Sequence, residues 1–136
     1  MSELNIEATV ENLDDVMAFV TSFLEELDCP GKLQMTIEIA VEEIFVNVAH
    51  YAYTPETGMV RIECRKLNND TEIEISFEDE GIPFDPLAKA DPDTTLSAED
   101  RPIGGLGIYM VKKSMDDVHY EHKDGKNVFT MRKKCH

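Results

Sequence analysis

Ala40-Val41-Glu42-Glu43-Ile44-Phe45-Val46-Asn47-Val48-Ala49 is an apolar run broken by residues that a core helix does not need. Ile37, Ala40, Val41, Ile44, Phe45 and Val48 recur at helical spacing, which predicts an amphipathic helix over about 32–52. Glu43 and Asn47 are four apart, so on that helix both project from one face. Asn costs up to ~0.7 kcal/mol relative to Ala inside a helix, so its place here calls for a reason. A carboxamide oxygen is a hard ligand suited to Mg2+, and a carboxylate one turn away can orient or deprotonate a hydroxyl. Taken alone, an exposed Glu beside a hydrogen-bonded Asn is still the plainer reading of the pair.

Working outward, residues 4–10 alternate apolar and polar and predict an opening strand. Asn12 reads as the N-cap of a helix carried by Leu13, Val16, Val20, Phe23, Leu24 and Leu27, and Cys29-Pro30-Gly31 ends it. Strands are predicted over 59–67 and 71–77, joined by Asn68-Asn69-Asp70, whose residue types favour tight turns. A third helix from about Leu106 places Ile108, Val111 and Met115 on one face, and strands over 117–122 and 127–133 close the chain. The order βααββ, loop, αββ predicts an α+β fold: a two-layer α/β sandwich with a mixed, mainly antiparallel sheet and helices on one face. With 136 residues and neither repeat nor composition break, it reads as one domain over 1–136.

Two further stretches stand at element junctions. Asp79-Glu80-Gly81-Ile82-Pro83-Phe84-Asp85-Pro86 closes a strand. A carboxylate there can accept from an exocyclic amine such as that of adenine, while Gly81 permits a φ > 0 turn and close ligand approach. A plain turn-rich loop explains those residues as well. Gly104-Gly105-Leu106-Gly107 opens the third helix, and helix N-termini offer unpaired N–H groups to phosphates. It is not a P-loop, because no Gly-Lys-Ser/Thr follows. The polar, Pro- and Asp-rich stretch between the two junctions is long enough to suggest a functional loop.

Composition removes several function classes. The formal net charge of −15 argues against binding a nucleic-acid backbone, which requires Lys and Arg, and suits either a basic protein partner or plain solubility. No apolar run approaches the ~20 residues that span a bilayer, and the N-terminus lacks signal-peptide character. Cys29, Cys64 and Cys135 are odd in number and widely spaced, so they predict buried thiols in a reducing compartment rather than a disulfide framework. A cytoplasmic, membrane-free protein is the expectation. Residues 91–95 hint at a calcium loop, but Leu96 and Pro102 stand where Gly and Glu are required. His119 and His122 fall on opposite faces of a predicted strand and make a poor metal pair.

The order of the three motifs decides more than any one of them. Glu43-xxx-Asn47 with Tyr51-Ala52-Tyr53, then Asp79-x-Gly81-x-x-Phe84-Asp85-Pro86, then residues 101–109 and Met115-Asp116-Asp117-Val118, resembles the Bergerat ATP-binding fold across essentially the whole chain. Within that superfamily the chain is most similar to the stand-alone anti-sigma-factor serine/threonine kinases. The resemblance implies ATP and Mg2+ as cofactors, with Glu43 as general base and Asn47 as the Mg2+ ligand. It places Asp79 on the adenine amine, Gly81 in the adenine pocket, and Gly104, Gly105, Leu106 and Gly107 along the phosphates. An ATP lid is implied over about 87–103, with Arg101 reaching toward the γ-phosphate. Asn127 falls beside the adenine, where relatives often carry Thr. The implied partners are a STAS-like antagonist, phosphorylated on Ser or Thr, and a sigma factor that is sequestered. Relatives are often homodimers, which leaves self-association open. The alternative is a non-catalytic ATP-binding module that acts by sequestration alone.

Overall fold

In the computed structural model, residues 2–53, 56–83, 85–88 and 105–135 are described. Strand β1 (Ser2–Glu7) leads through a 3-10 turn at Val10–Asn12 into α1 (Leu13–Glu26) and α2 (Gly31–Tyr51). Strands β2 (Met59–Leu67) and β3 (Glu72–Asp79) follow, then a 3-10 turn at Pro86–Ala88, α3 (Gly105–Ser114), β4 (Asp117–Lys123) and β5 (Lys126–Lys134). The five strands form one sheet in the order β1-β2-β3-β5-β4. Every pairing among them is antiparallel, so the expected mainly antiparallel sheet has no parallel pair among the described residues.

Period-2 alternation divides the sheet into two unlike faces. Val60, Ile62, Ile73, Ile75, Phe77, Phe129 and Met131 turn inward and join one core with Val16, Val20 and Leu24 of α1, Ile37, Val41 and Phe45 of α2, and Ile108 and Val111 of α3. The opposite face carries ion pairs instead. Glu63, 6% exposed, accepts from both Arg61 and Arg65, and Arg132 reaches Glu74 at 2.8 Å. Burial works to raise the Glu63 pKa, but the two guanidinium bonds outweigh it and hold the carboxyl below its ordinary value.

Two local expectations are corrected, and the expected turn at 68–70 is found. The opening strand stops at Glu7, because Ala8 donates to the Gly58 carbonyl at 2.8 Å and the chain then turns. Asn12 precedes α1, but its side chain makes no cap bond; Nδ2 donates to the Glu7 carbonyl at 2.9 Å and ties strand to helix. Asn68, Asn69 and Asp70 all take positive φ (52°, 57° and 67°), a conformation these short polar residues tolerate. The cysteines are buried and free, as expected, yet Cys29 and Cys135, far apart in sequence, meet with sulfurs 3.2 Å apart. Burial, with a smaller push from Cys29, raises the Cys135 thiol to about 12.

Candidate nucleotide site

Helix α2 brings Glu43 and Asn47 to one face, as their spacing predicts. Asn47 Nδ2 donates to the Glu43 backbone carbonyl at 2.8 Å. A carbonyl can only accept, so the amide has one sensible orientation, and it turns Oδ1 away from the helix backbone. Asn47 also lines the pocket described below. The Glu43 carboxylate lies against the first turn of α3. A Cβ added to Gly107 would sit 2.1 Å from Glu43 Oε2, so no larger residue fits without displacing the carboxylate. The unpaired N–H groups and dipole of that turn favour a negative charge, whether carboxylate or phosphate.

Strand β3 delivers Asp79 to the other end. Asp79 is 5% exposed, and its Oδ1 accepts from Gly81 N and from Asn127 Nδ2, each at 2.9 Å. The backbone at 81–82 docks on the end of α2, where Ile82 N donates to the Ala52 carbonyl at 2.9 Å. A Cβ on Gly81 would lie 2.2 Å from that same oxygen. Gly81 does not have a positive φ, so the expected reason for this glycine is replaced by another: close backbone approach to Ala52. Tyr53 braces the corner, donating to the Met59 carbonyl at 2.7 Å and accepting from Glu80 N at 2.8 Å. Burial first, then the charges of Asp79 and Glu80, raise its phenol pKa against the lowering effect of the Glu80 N–H.

Beside Asp79 lies a pocket of about 410 Å³, open to solvent, with Asn47 but not Glu43 in its lining; Glu43 borders a separate hollow between α2 and α3. Ile44, Val48, Ala52, Phe77 and Phe129 make apolar walls, and Asn47, Asp79 and Asn127 supply the polar groups. An apolar slot with a few convergent polar groups suits a flat heteroaromatic base. Among the described residues no group of three His, Cys, Asp or Glu side chains could hold a metal. A hard cation here would take one protein oxygen, from Asn47, and complete its shell with phosphate and water, as Mg2+ commonly does.

Comparison with known proteins identifies the family. The family model of the histidine kinase-like ATPase domain matches residues 6–133. The anti-sigma F factor of Clostridium acetobutylicum is 30% identical over 132 residues, covering 97% of this chain and 91% of that protein. The chain belongs to the histidine kinase-like ATPase domain family, among the anti-sigma-factor serine/threonine kinases. Serine/threonine-protein kinase BtrW of Bordetella bronchiseptica is 22% identical over 94% of this chain and 89% of its own length. Serine-protein kinase RsbW of Bacillus cereus is 28% identical over 90% and 72%. The solved SiaB-SiaC complex of Pseudomonas aeruginosa contains a chain of the same fold, with a TM-score of 0.64 at 16% identity, covering 98% of this chain and 89% of that one.

Of the residues expected in this family's site, the structure gathers Glu43, Asn47, Asp79, Gly81, Gly107 and Asn127 around α2, α3 and the ends of β3 and β5. Gly105 and Leu106 lie in the first turn of α3. Arg101 and Gly104, with most of the expected lid, fall outside the described residues, as do positions 91–95. The lid's expected first residue, Leu87, lies in the 3-10 turn, where its N–H donates to Asp85 Oδ1 at 2.8 Å. Tyr120, which lines the pocket, is not among the expected site residues, and Tyr53 stands only in the resembling stretch Tyr51-Ala52-Tyr53. An aromatic on a strand reads as core, and only three-dimensional neighbours reveal what its hydroxyl does.

Proposed function

We propose that this chain is an ATP-dependent, Mg2+-requiring serine/threonine protein kinase that phosphorylates a small antagonist protein and sequesters a sigma factor in the cytoplasm. The observation that carries the reading is the Glu43 carboxylate held against the first turn of α3 by Gly107, one helical turn from an Asn47 oxygen aimed away from the backbone. In this reading Asp79 accepts from the adenine amine. Asn47 supplies the protein oxygen for the cation, and Gly105 and Gly107 let backbone N–H groups approach the phosphates. Mg2+, when bound, would neutralise charge on the phosphates. Glu43 takes the proton of the acceptor hydroxyl as that oxygen bonds to the γ-phosphorus and the bond to the ADP oxygen breaks. Arg101 and Gly104 complete the phosphate end.

The net charge of −15 suits a basic partner, and such an encounter weakens as salt rises. Binding of a sigma factor that is indifferent to salt would remove that part of the reading. Incubation with γ-labelled ATP, Mg2+ and candidate antagonist proteins tests the rest. Label should appear on Ser or Thr of an antagonist, and Asn47→Ala should abolish it. ATP binding without transfer to any antagonist would instead support the module that acts by sequestration alone.

A further inference from the structure

Tyr120 lies in β4 opposite Phe129, and its hydroxyl donates to Asn127 Oδ1. Asn127 is 5% exposed. Its Nδ2 donates to Asp79 Oδ1 at 2.9 Å and to the Ile82 carbonyl at 2.8 Å, with a longer contact of 3.4 Å to the Gly81 carbonyl. An amide nitrogen has two hydrogens, and both point at acceptors of the protein. Asn127 is therefore engaged with Asp79 and the 81–82 backbone rather than with a ligand. Turning the amide over would set Oδ1 against a carboxylate and two carbonyls, all acceptors.

Asp79 is constrained in turn. Its Oδ1 is committed to Gly81 N and Asn127. Among the described residues no buried side-chain oxygen lacks a partner, and Asp79 lines the pocket, so Oδ2 is the atom left facing it. We propose that Tyr120 sets the base preference of the pocket by holding Asn127 in the orientation that aims Asp79 Oδ2 at an exocyclic amine. The inference rests on the assignment of the pocket to ATP. It makes Tyr120 and Asn127 positioning residues for the contact that distinguishes adenine from a base without that amine.

The test compares two non-hydrolysable nucleotides by equilibrium binding: an ATP analogue, and the same triphosphate on purine lacking the 6-amino group. The wild type should prefer the adenine form by roughly tenfold or more, the loss typical of one charge-assisted hydrogen bond. Tyr120→Phe should reduce that preference to about threefold or less, chiefly by weakening the adenine form. Asn127→Thr in the Tyr120→Phe background should restore it, because a hydroxyl turns to donate without a second group to orient it. In the Asn127→Thr background Tyr120→Phe should leave the preference unchanged, which keeps the test decisive if the single Tyr variant folds poorly.

A Tyr120→Phe protein that keeps the wild-type preference overturns the proposal. So does one that loses both nucleotides equally, which would make Tyr120 only a wall of the pocket. A wild type that binds neither nucleotide, or does not distinguish them, overturns the ATP or Asp79 assignment first and the inference with it.

Discussion

In the pocket Asp79 Oδ1 takes two N–H groups and Asn127 spends its amide on protein acceptors; outside it, one helical turn along α2 from Asn47, Gly107 leaves just enough room for the Glu43 carboxylate. The Asp79 end is cross-linked by hydrogen bonds that run from β4 through β5 to the end of β3 and on to α2. Such a network pre-pays the ordering of a reading group, as specific recognition of a base requires. The Glu43 side holds a charge by shape and helix dipole, with fewer bonds of its own among the described residues. That suits a group which exchanges a proton during reaction and must not be saturated by the protein. In the proposed reading, recognition and chemistry are separated along α2, with Asp79 and Ala52 at its C-terminal end and Glu43 near its middle.

Substitutions can break this contrast. The largest expected effect on nucleotide affinity is that of Asp79→Asn, which keeps an oxygen for Gly81 and Asn127 but turns an N–H toward the adenine amine. Titration calorimetry should show ATP binding weakened roughly 10- to 100-fold, the scale of a hydrogen bond to a charged group, with little change in melting temperature. Gly81→Ala comes next. Its Cβ meets the backbone oxygen of Ala52, which cannot swing aside, so urea unfolding should show a loss of about 2–3 kcal/mol. Gly107→Ala meets only the end of a flexible Glu side chain. Stability should fall by less than about 1 kcal/mol while label transfer drops roughly tenfold, because the carboxylate is pushed from its place.

A smaller effect belongs to the far face of the sheet and serves as a control. Glu63 has a lowered folded pKa, so its contribution is present above the unfolded carboxyl pKa of about 4.3 and is lost as pH falls through the folded value. Its guanidinium partners are about half exposed, which limits the contribution to about 1 kcal/mol. Glu63→Gln should cost that much at pH 7, and the difference from wild type should shrink as pH falls below the unfolded carboxyl pKa. ATP affinity should not change.

Much of this was legible in the sequence where a single element carries the information. Strand β2 falls at Met59–Leu67, as its alternation predicts, and α2 differs from expectation by one residue at each end. Glu43 and Asn47 share a face because helical spacing requires it. What the chain concealed were the meetings between elements. Gly81 reads as a turn glycine because nothing in its neighbourhood announces the Ala52 carbonyl. Tyr120 reads as a strand aromatic until β4 is laid beside β5. Cys29 and Cys135 meet only because β5 ends beneath the α1–α2 junction. Asn127 was placed beside the adenine by resemblance, but its work on Asp79 appears only in the hydrogen bonds.

The division of labour is tested most directly by measuring ATP affinity and single-turnover label transfer together on Glu43→Gln. If Glu43 is the base at an end separate from recognition, affinity should stay within about threefold while transfer falls by roughly 10²–10⁴. Transfer at the wild-type rate, or a loss that lies wholly in ATP binding, would contradict it.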